Sequence, residues 1–183
     1  VEEADAGDLV GQKPLPIDTD DDVSSLYQKM VKAGRTLMRD HYLEFSEGTV
    51  RNIPQDDSQA TWWPKREPHH GLIDWNQQPD ELYNWIRGQS RPYPGAFSYL
   101  NGEKIIIWGA NPPENNSSSG CPGEIMYQDG DSLGVEAWEA IIELTEIQVE
   151  GDEAIPAGSL VSNYNFSVGD VFMNARDVSI KNK

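Results

Sequence analysis

A long helix is predicted near the start of the chain from the spacing of its apolar residues. Across residues 23–46 apolar side chains recur every three or four positions, which is the period of a helix that packs one face on a sheet. The acidic run at 18–22 suits a helix N-terminus, and Gly48 is a plausible stop. Ahead of the helix, residues 9–17 are predicted to form a short edge strand.

The second half of the chain shows the pattern of a helix followed by several strands. Pro79 and the acidic residues after it predict a helix start. Beyond residue 96 the apolar period falls to two, and Asn101-Gly102 is a two-residue hairpin signal. Several short strands with turn signals between them predict a small β-barrel or sandwich. These strands are predicted over 104–108, 124–127, 133–137 and 141–149, with weaker ones near Leu160 and Val171.

An irregular, proline-containing stretch at 51–71 separates the two patterns and is predicted to be a linker. The adjacent pair Trp62 and Trp63 within it predicts a linker that lies against the domain surface. The expected fold class is therefore α+β. A strand and a long helix lie over 1–50, the linker covers 51–71, and a helix and a β-domain follow over 72–183.

The charge of the chain limits the partners that it can bind. It has 183 residues and a net charge of −17, from 14 basic and 31 acidic residues. No Lys or Arg occurs from residue 105 to residue 175. Because nucleic-acid binding needs cations that displace the counterions of phosphates, this stretch is a poor phosphate-binding surface. A high-salt cellular environment also favours acidic surfaces, and the two interpretations are compatible.

Other sequence features exclude several kinds of site. The longest apolar run, at 105–110, is far shorter than the ~20 residues of a membrane helix. No signal peptide is visible, so we expect a soluble, cytoplasmic protein. Cys121 is the single cysteine, and no base or cation stands near it in sequence to activate its thiol. His69 and His70 have no Cys or carboxylate partner at a usual ligand spacing, so no metal site is predicted.

Motifs within the first 110 residues follow one another in the order of a known family. The chain resembles the formyltransferases that use 10-formyltetrahydrofolate, a family named after methionyl-tRNA formyltransferase. Segments 144–151 and 164–172 also look like late strands of that family's C-terminal barrel. The motifs that carry the resemblance are DAGDL at 5–9, QDDSQAT at 55–61, PKR at 64–66, GLIDW at 71–75, LYNWIR at 82–87, RPYPGAF at 91–97 and NGEK at 101–104.

The resemblance implies a more specific architecture and an incomplete active site. Residues 1–50 would be the tail of a Rossmann-like catalytic domain, and 72–183 a helix with an OB-like barrel. The family's catalytic Asn and His and its folate-binding loop are expected upstream of residue 1, and only the catalytic Asp maps here, onto Asp5. We therefore expect the helix face with Leu26, Met30 and Leu37 to be partly exposed, or covered by another chain.

The implied chemistry transfers a formyl group from 10-formyltetrahydrofolate to a primary amine without a metal. An Asn would stabilise the oxyanion and a His would remove the amine proton, while Asp5 would orient that His. The N-terminal half would bind most of the folate.

The identity of the formyl acceptor is open between two amines. The candidate acceptor-binding set is the only basic cluster that the sequence predicts, near the linker: Lys65, Arg66, Arg87 and Arg91. The acidic barrel and the PYPGAF stretch at 92–97 favour the amino group of a nucleotide-linked sugar, with methionyl-tRNA close behind. A homo-oligomer is possible. The alternative is a non-catalytic binding or assembly module, or a decayed fragment that lacks the catalytic Asn and His.

Overall fold

The protein is described by a computed structural model that covers residues 6–113 and 118–175. The chain forms two compact units. The first holds the described residues up to Asp18 together with Ser25–Arg66, and the second holds Thr19–Ser24 together with the described residues from Glu67 onward. The boundary between Arg66 and Glu67 falls inside the segment that the sequence predicts to be a linker.

The predicted long helix is present as α1, Val23–Glu47. Gly48 ends it in a left-handed conformation, with φ of 67°, which suits glycine because it has no Cβ. The N–H of Thr49 then donates to the carbonyl of Glu44 at 2.9 Å. Ala33 is buried, whereas much of the remaining apolar surface of α1 is exposed.

The predicted strand at 9–17 is wrong. Leu9 forms a single antiparallel bridge with Ile53, held by two backbone hydrogen bonds of 2.8 and 2.9 Å, and residues 11–17 have no regular structure. Pro14 and Pro16 explain this result, because neither has the N–H group that a strand ladder needs. Residue Ile53 belongs to the linker stretch, which also contains a short 3₁₀ turn at Asp57–Gln59.

A six-stranded antiparallel sheet forms the centre of the second unit. Its strand order is β1-β2-β5-β4-β3, and β6 pairs with β5. A 3₁₀ turn at Pro68–Gly71 and helix α2, Pro79–Gln89, precede the sheet. The remaining elements are β1, Ala96–Leu100; β2, Glu103–Ala110; β3, Ile125–Asp129; β4, Ser132–Glu136; β5, Ile141–Val149; β6, Ile155–Pro156; and α3, Ser159–Asn163.

The hairpin at Asn101-Gly102 is confirmed. Both residues have positive φ, 50° and 93°, as the favoured two-residue hairpin turn requires. The turn pairs Leu100 with Glu103 and sets the register of β1 against β2. The pairing of β2 with β5 is irregular at Gly109. A Cβ on this residue would lie 2.6 Å from the hydroxyl oxygen of Thr145.

The core of this unit lies between α2 and the inward-facing side chains of the sheet. Every second residue is buried in each half of β5, Ile142 and Leu144 in the first and Ile147 and Val149 in the second, with one extra residue between the halves. Trp75 is fully buried, and its ring centroid lies 5.2 Å from that of Phe172. The residues Trp75 and Phe172 therefore tie the segment before α2 to the last described part of the chain.

Two of the weaker strand predictions are wrong. Residues near Leu160 form helix α3, and Leu160 reaches the core from it. Val171 forms only an isolated bridge with Glu124. The predicted α+β class is confirmed, and the structure shows that the sheet is antiparallel. None of the described helices is long and apolar enough to span a membrane.

Candidate functional site

The segment that follows the candidate catalytic Asp5 is tied to the start of the linker stretch. Asp5 itself lies outside the described residues. Two residues further on, the carbonyl of Gly7 accepts a hydrogen bond of 2.6 Å from the side-chain amide of Gln55. With the Leu9–Ile53 bridge, this contact brings the DAGDL and QDDSQAT motifs together in the first unit.

The QDDSQAT motif forms a capped turn. Asp56 Oδ1 accepts hydrogen bonds from the hydroxyl of Ser58 at 2.6 Å and from its backbone N–H at 3.0 Å. These two bonds, the hydroxyl contributing most, hold the pKa of Asp56 below its usual value. The carboxylate therefore stays ionised near neutral pH and caps the 3₁₀ turn at Asp57–Gln59.

The two tryptophans after this turn do not lie against the protein surface, so that prediction is wrong. Trp62 is 90% exposed and Trp63 is 88% exposed. Pro64 explains part of this geometry, because the residue before a proline is held extended and cannot fold back in a helix. Lys65 and Arg66 follow directly and are also exposed.

Arg87, a candidate acceptor-binding residue, makes internal contacts in the second unit. Its Nε donates to Asn84 Oδ1 at 2.8 Å, and its Nη1 donates to the backbone carbonyl of Asp21. The guanidinium also lies 5.4 Å from the centroid of the Tyr83 ring. Tyr83 in turn donates its hydroxyl to the carbonyl of Thr19 at 2.7 Å. Arg87 therefore helps to hold the segment Thr19–Ser24 on α2.

Arg91 is likewise engaged inside the second unit. Its two terminal nitrogens each lie 3.0 Å from a carboxylate oxygen of Glu146, which is a bidentate ion pair. The guanidinium stacks 4.3 Å from the centroid of the Trp108 ring. An anionic acceptor that bound Arg91 would compete with the Glu146 carboxylate for the same donors.

A second cationic cluster, which the sequence analysis missed, lies on α1. Lys32, Arg35 and Arg39 line one shallow groove of 620 Å³ together with Tyr27 and Val31. The sequence signal for it is the spacing of three and four residues, which places the three cations on one face of a helix. Lys65, Arg66, Arg87 and Arg91 are therefore not the only basic cluster of the chain.

The described histidines take part in local structural contacts. His41 Nδ1 lies 2.9 Å from Glu44 Oε2, a pair three residues apart on α1. His70 Nδ1 accepts a hydrogen bond of 2.8 Å from the backbone N–H of Glu67, and this bond caps the 3₁₀ turn at Pro68–Gly71. The ring centroids of His69 and His70 are 4.0 Å apart. Over the described ranges, no three His, Cys, Asp or Glu side chains are grouped as metal ligands would be.

Comparisons with curated proteins identify relatives for almost the whole chain. The protein is 33% identical over 174 residues to a methionyl-tRNA formyltransferase of Streptococcus pneumoniae strain Hungary19A-6 and 34% identical to that of Streptococcus thermophilus. Each alignment covers 94% of this chain but 55% of the relative. The chain thus spans about half the length of the curated relatives it matches.

Solved structures with a similar fold include HypX from Aquifex aeolicus. A complex of HypX with tetrahydrofolic acid superposes with a TM-score of 0.71 over 92% of this chain and 29% of HypX, at 20% identity. A substituted variant of HypX gives the same TM-score. The sequence profile described as "Formyl transferase, C-terminal domain" matches residues 65–165, which is more than half of the chain. The chain therefore belongs to the formyltransferase family, as a C-terminal portion similar to that of methionyl-tRNA formyltransferase.

Proposed function

We propose that this chain is the C-terminal portion of an enzyme that transfers a formyl group from 10-formyltetrahydrofolate to a nucleotide-linked amino sugar. In such an enzyme a catalytic half, defined as the part that carries the family's Asn, His and folate-binding loop, performs the chemistry together with Asp5. The catalytic half also binds most of the folate. This chain contributes the last helix of the catalytic domain, the linker and the β-domain.

The exposed apolar surface of α1 is the observation that supports a catalytic half. Met30 is 53% exposed, Met38 60% and Phe45 50%, and their spacing along the helix places the three side chains on one side of α1. Leu26 and Leu37 are half-buried. Exposed apolar patches of this kind mark surfaces that another element covers. In the proposed enzyme the sheet of the catalytic domain covers this side of α1.

The state of the cations in the second unit supports a small acceptor rather than RNA. Arg87 and Arg91 are held by internal partners, and no Lys or Arg follows Lys104 until residue 176. RNA binding gains most of its free energy from cations that replace phosphate counterions. The β-domain offers few such cations, whereas a nucleotide sugar needs only a pair of them for its diphosphate.

Methionyl-tRNA is the second candidate acceptor, and two observations favour it. The relatives at 33% and 34% identity are methionyl-tRNA formyltransferases. In addition, Lys32, Arg35 and Arg39 line one groove on α1 and would suit a phosphate backbone. If methionyl-tRNA is the acceptor, these three cations bind its phosphates, whereas a nucleotide-linked sugar does not need them.

The test compares both acceptors in an enzyme that carries the catalytic half together with this chain. We expect formylation of a nucleotide-linked amino sugar, and we expect the triple variant K32A/R35A/R39A to keep its kcat/KM within a few-fold. Arg87 and Arg91 are left intact, because their loss would disturb the internal contacts described above. This chain alone is expected to show no formyl transfer to either amine.

Three outcomes would contradict this proposal. The first is formylation of methionyl-tRNA that weakens steeply with salt and collapses in K32A/R35A/R39A, with a salt slope lower by about one for each phosphate that the variant no longer binds. The second is an assembled enzyme that is folded and binds tetrahydrofolate but formylates neither amine, which would favour the non-catalytic module. Activity of this chain alone that is abolished in Asp5→Asn would show that the chain recruits its own histidine.

A further inference from the structure

The most exposed large apolar side chains of the described chain are Trp62 and Trp63. Their exposed fractions of 90% and 88% compare with 68% for Leu43, the next in order. Indole is the largest apolar surface that a side chain offers, and tryptophans are highly buried on average. Trp75, for comparison, is fully buried. Two adjacent indoles in water therefore need an explanation other than the stability of the fold.

The backbone around the two indoles restricts their motion. The capped turn at Asp57–Gln59 precedes them, and Ala60 is extended, with φ of −65° and ψ of 135°. Pro64 fixes its own φ and keeps Trp63 extended. Lys65 is two residues from Trp63, so the Cα atoms of the two residues are at most about 7 Å apart.

An indole beside a cation suits a ligand with a flat aromatic group close to a phosphate. Aromatic side chains bind bases by stacking, which is tolerant of the identity of the base. Lysine and arginine bind phosphate oxygens by charge-assisted hydrogen bonds. The segment 62–66 combines both kinds of group within one short stretch of the first unit.

We propose that Trp62, Trp63, Lys65 and Arg66 form the docking site for the nucleoside diphosphate part of the acceptor. One indole stacks on the base, and the two cations bind the diphosphate. This inference rests on the proposed nucleotide-linked acceptor and adds the residues that recognise it. Two cations match one diphosphate, whereas a chain of net charge −17 repels a long polyanion such as RNA.

The first experiment follows the indole N–H resonances of this chain during a titration with uridine diphosphate. The chain has six tryptophans, and the variants W62F, W63F and W138F assign three of the six signals. We expect the Trp62 or Trp63 signal to shift with saturation, while Trp138, which is 45% exposed in the second unit, stays in place. If millimolar uridine diphosphate moves neither signal, the inference is wrong.

The second experiment separates stacking from charge by calorimetry on the same chain. W62A/W63A should weaken binding of uridine diphosphate by about fivefold or more, as the loss of one base–aromatic stack predicts. K65A/R66A should weaken it and flatten its dependence on salt. W138A is the matched control and should leave the affinity unchanged. Equal losses in W138A and W62A/W63A would contradict a specific site.

A single-stranded oligoribonucleotide in place of uridine diphosphate tests the other occupant. Binding of this RNA more tightly than uridine diphosphate, with loss in W62A/W63A, would assign the indoles to RNA and overturn the inference. In the enzyme with its catalytic half, W62A/W63A should raise the KM of the nucleotide sugar and leave that of 10-formyltetrahydrofolate unchanged. An enzyme that formylates the sugar with an unaltered KM in W62A/W63A would refute the docking site while leaving the proposed function intact.

Discussion

At the scale of single residues, Tyr164 carries a pH-dependent contact. Its hydroxyl donates to Asp152 Oδ2 at 2.7 Å, and this bond, more than burial or the Asp152 charge, raises the pKa of Tyr164 above its usual value. A raised folded-state pKa means that the contact contributes fully below the pKa of an unfolded tyrosine, about 10. The contribution disappears as pH rises through the higher folded-state pKa.

We therefore predict that Tyr164 ionises above the usual range of tyrosine in the folded protein. An absorbance titration of tyrosinate should show this late component in the parent chain and lack it in Tyr164→Phe. Asp152→Asn should move the component to lower pH, because the carboxylate acceptor and its charge are both removed. A late component that survives in Tyr164→Phe would contradict the assignment.

Single residues also show where sequence analysis reached its limit. Arg87 and Arg91 stand in a stretch with other cations and were predicted to bind an acceptor, a role that stays a proposal. The partners that hold them, the Asp21 carbonyl and the Glu146 carboxylate, are 66 and 55 positions away. Spacing along a chain predicts contacts within one helix or hairpin, but it gives no information about partners at such separations.

At the scale of elements, two glycines with the same φ allow the effect of steric crowding on stability to be separated from the effect of backbone conformation. Gly102 and Gly123 both have φ of 93°. A Cβ at Gly102 would meet nothing within 4 Å, whereas at Gly123 it would lie 2.6 Å from the carbonyl oxygen of Phe172 and 3.2 Å from Trp75. The Gly123 backbone also bonds to Glu136 and Phe172, so it has little room to shift.

Gly123→Ala is therefore predicted to be more destabilising than Gly102→Ala. The alanine at 102 should lower the free energy of unfolding by about 1 kcal/mol, the cost of a left-handed conformation. The alanine at 123 should lower it by a further 1–3 kcal/mol, roughly the cost of overpacking a core. Denaturant unfolding of the two variants measures the difference. Equal losses of unfolding free energy would show that the backbone around Gly123 shifts to accommodate the added methyl group.

Elements with a strong local signal were predicted well. Helix α1 begins at Val23 as expected and ends at the glycine stop, and β5 spans 141–149 as predicted. The segment around Leu160 is predicted as a weak strand, but it forms helix α3. The carbonyl of Leu160 accepts a hydrogen bond of 3.1 Å from the N–H of Tyr164, which closes a helical turn. The side chain of Leu160 is buried in the core. A short apolar run fits a strand or a helix, so the spacing of apolar residues does not distinguish the two here.

At the scale of the whole molecule, the family and the candidate site were predictable to different extents. The order of motifs identified the family, and the profile match over 65–165 confirms it. The exposed α1 surface was also expected, from a long apolar helix face with too little sheet to cover it. The exposure of Trp62 and Trp63 was not, because a pair of indoles in a sequence normally indicates burial.

Charge acts on the molecule as a whole and opposes its folding. The net charge is −17, and no Lys or Arg occurs between residues 105 and 175, so the acidic side chains there can pair only with cations from other parts of the chain. Surface ion pairs such as Lys104 with Glu150, at 2.7 Å, contribute at most about 1 kcal/mol each, and one-to-one pairing of the 14 basic residues would neutralise fewer than half of the 31 acidic ones. The repulsion among the remaining carboxylates therefore outweighs the attraction that salt would screen.

We predict that the free energy of unfolding rises between ~0.1 M and ~1 M potassium chloride, because the screening length falls from about 10 Å to about 3 Å. Denaturant unfolding at several salt concentrations measures the rise. The variant D129N/D131N/E153Q removes three exposed charges from the acidic region and should show a smaller rise than the parent chain. Tetramethylammonium chloride should act like potassium chloride, since screening does not depend on the identity of the cation. A stability that falls with salt would mean that the ion pairs dominate, and it would remove the basis for interpreting the acidic surface as an adaptation to high salt.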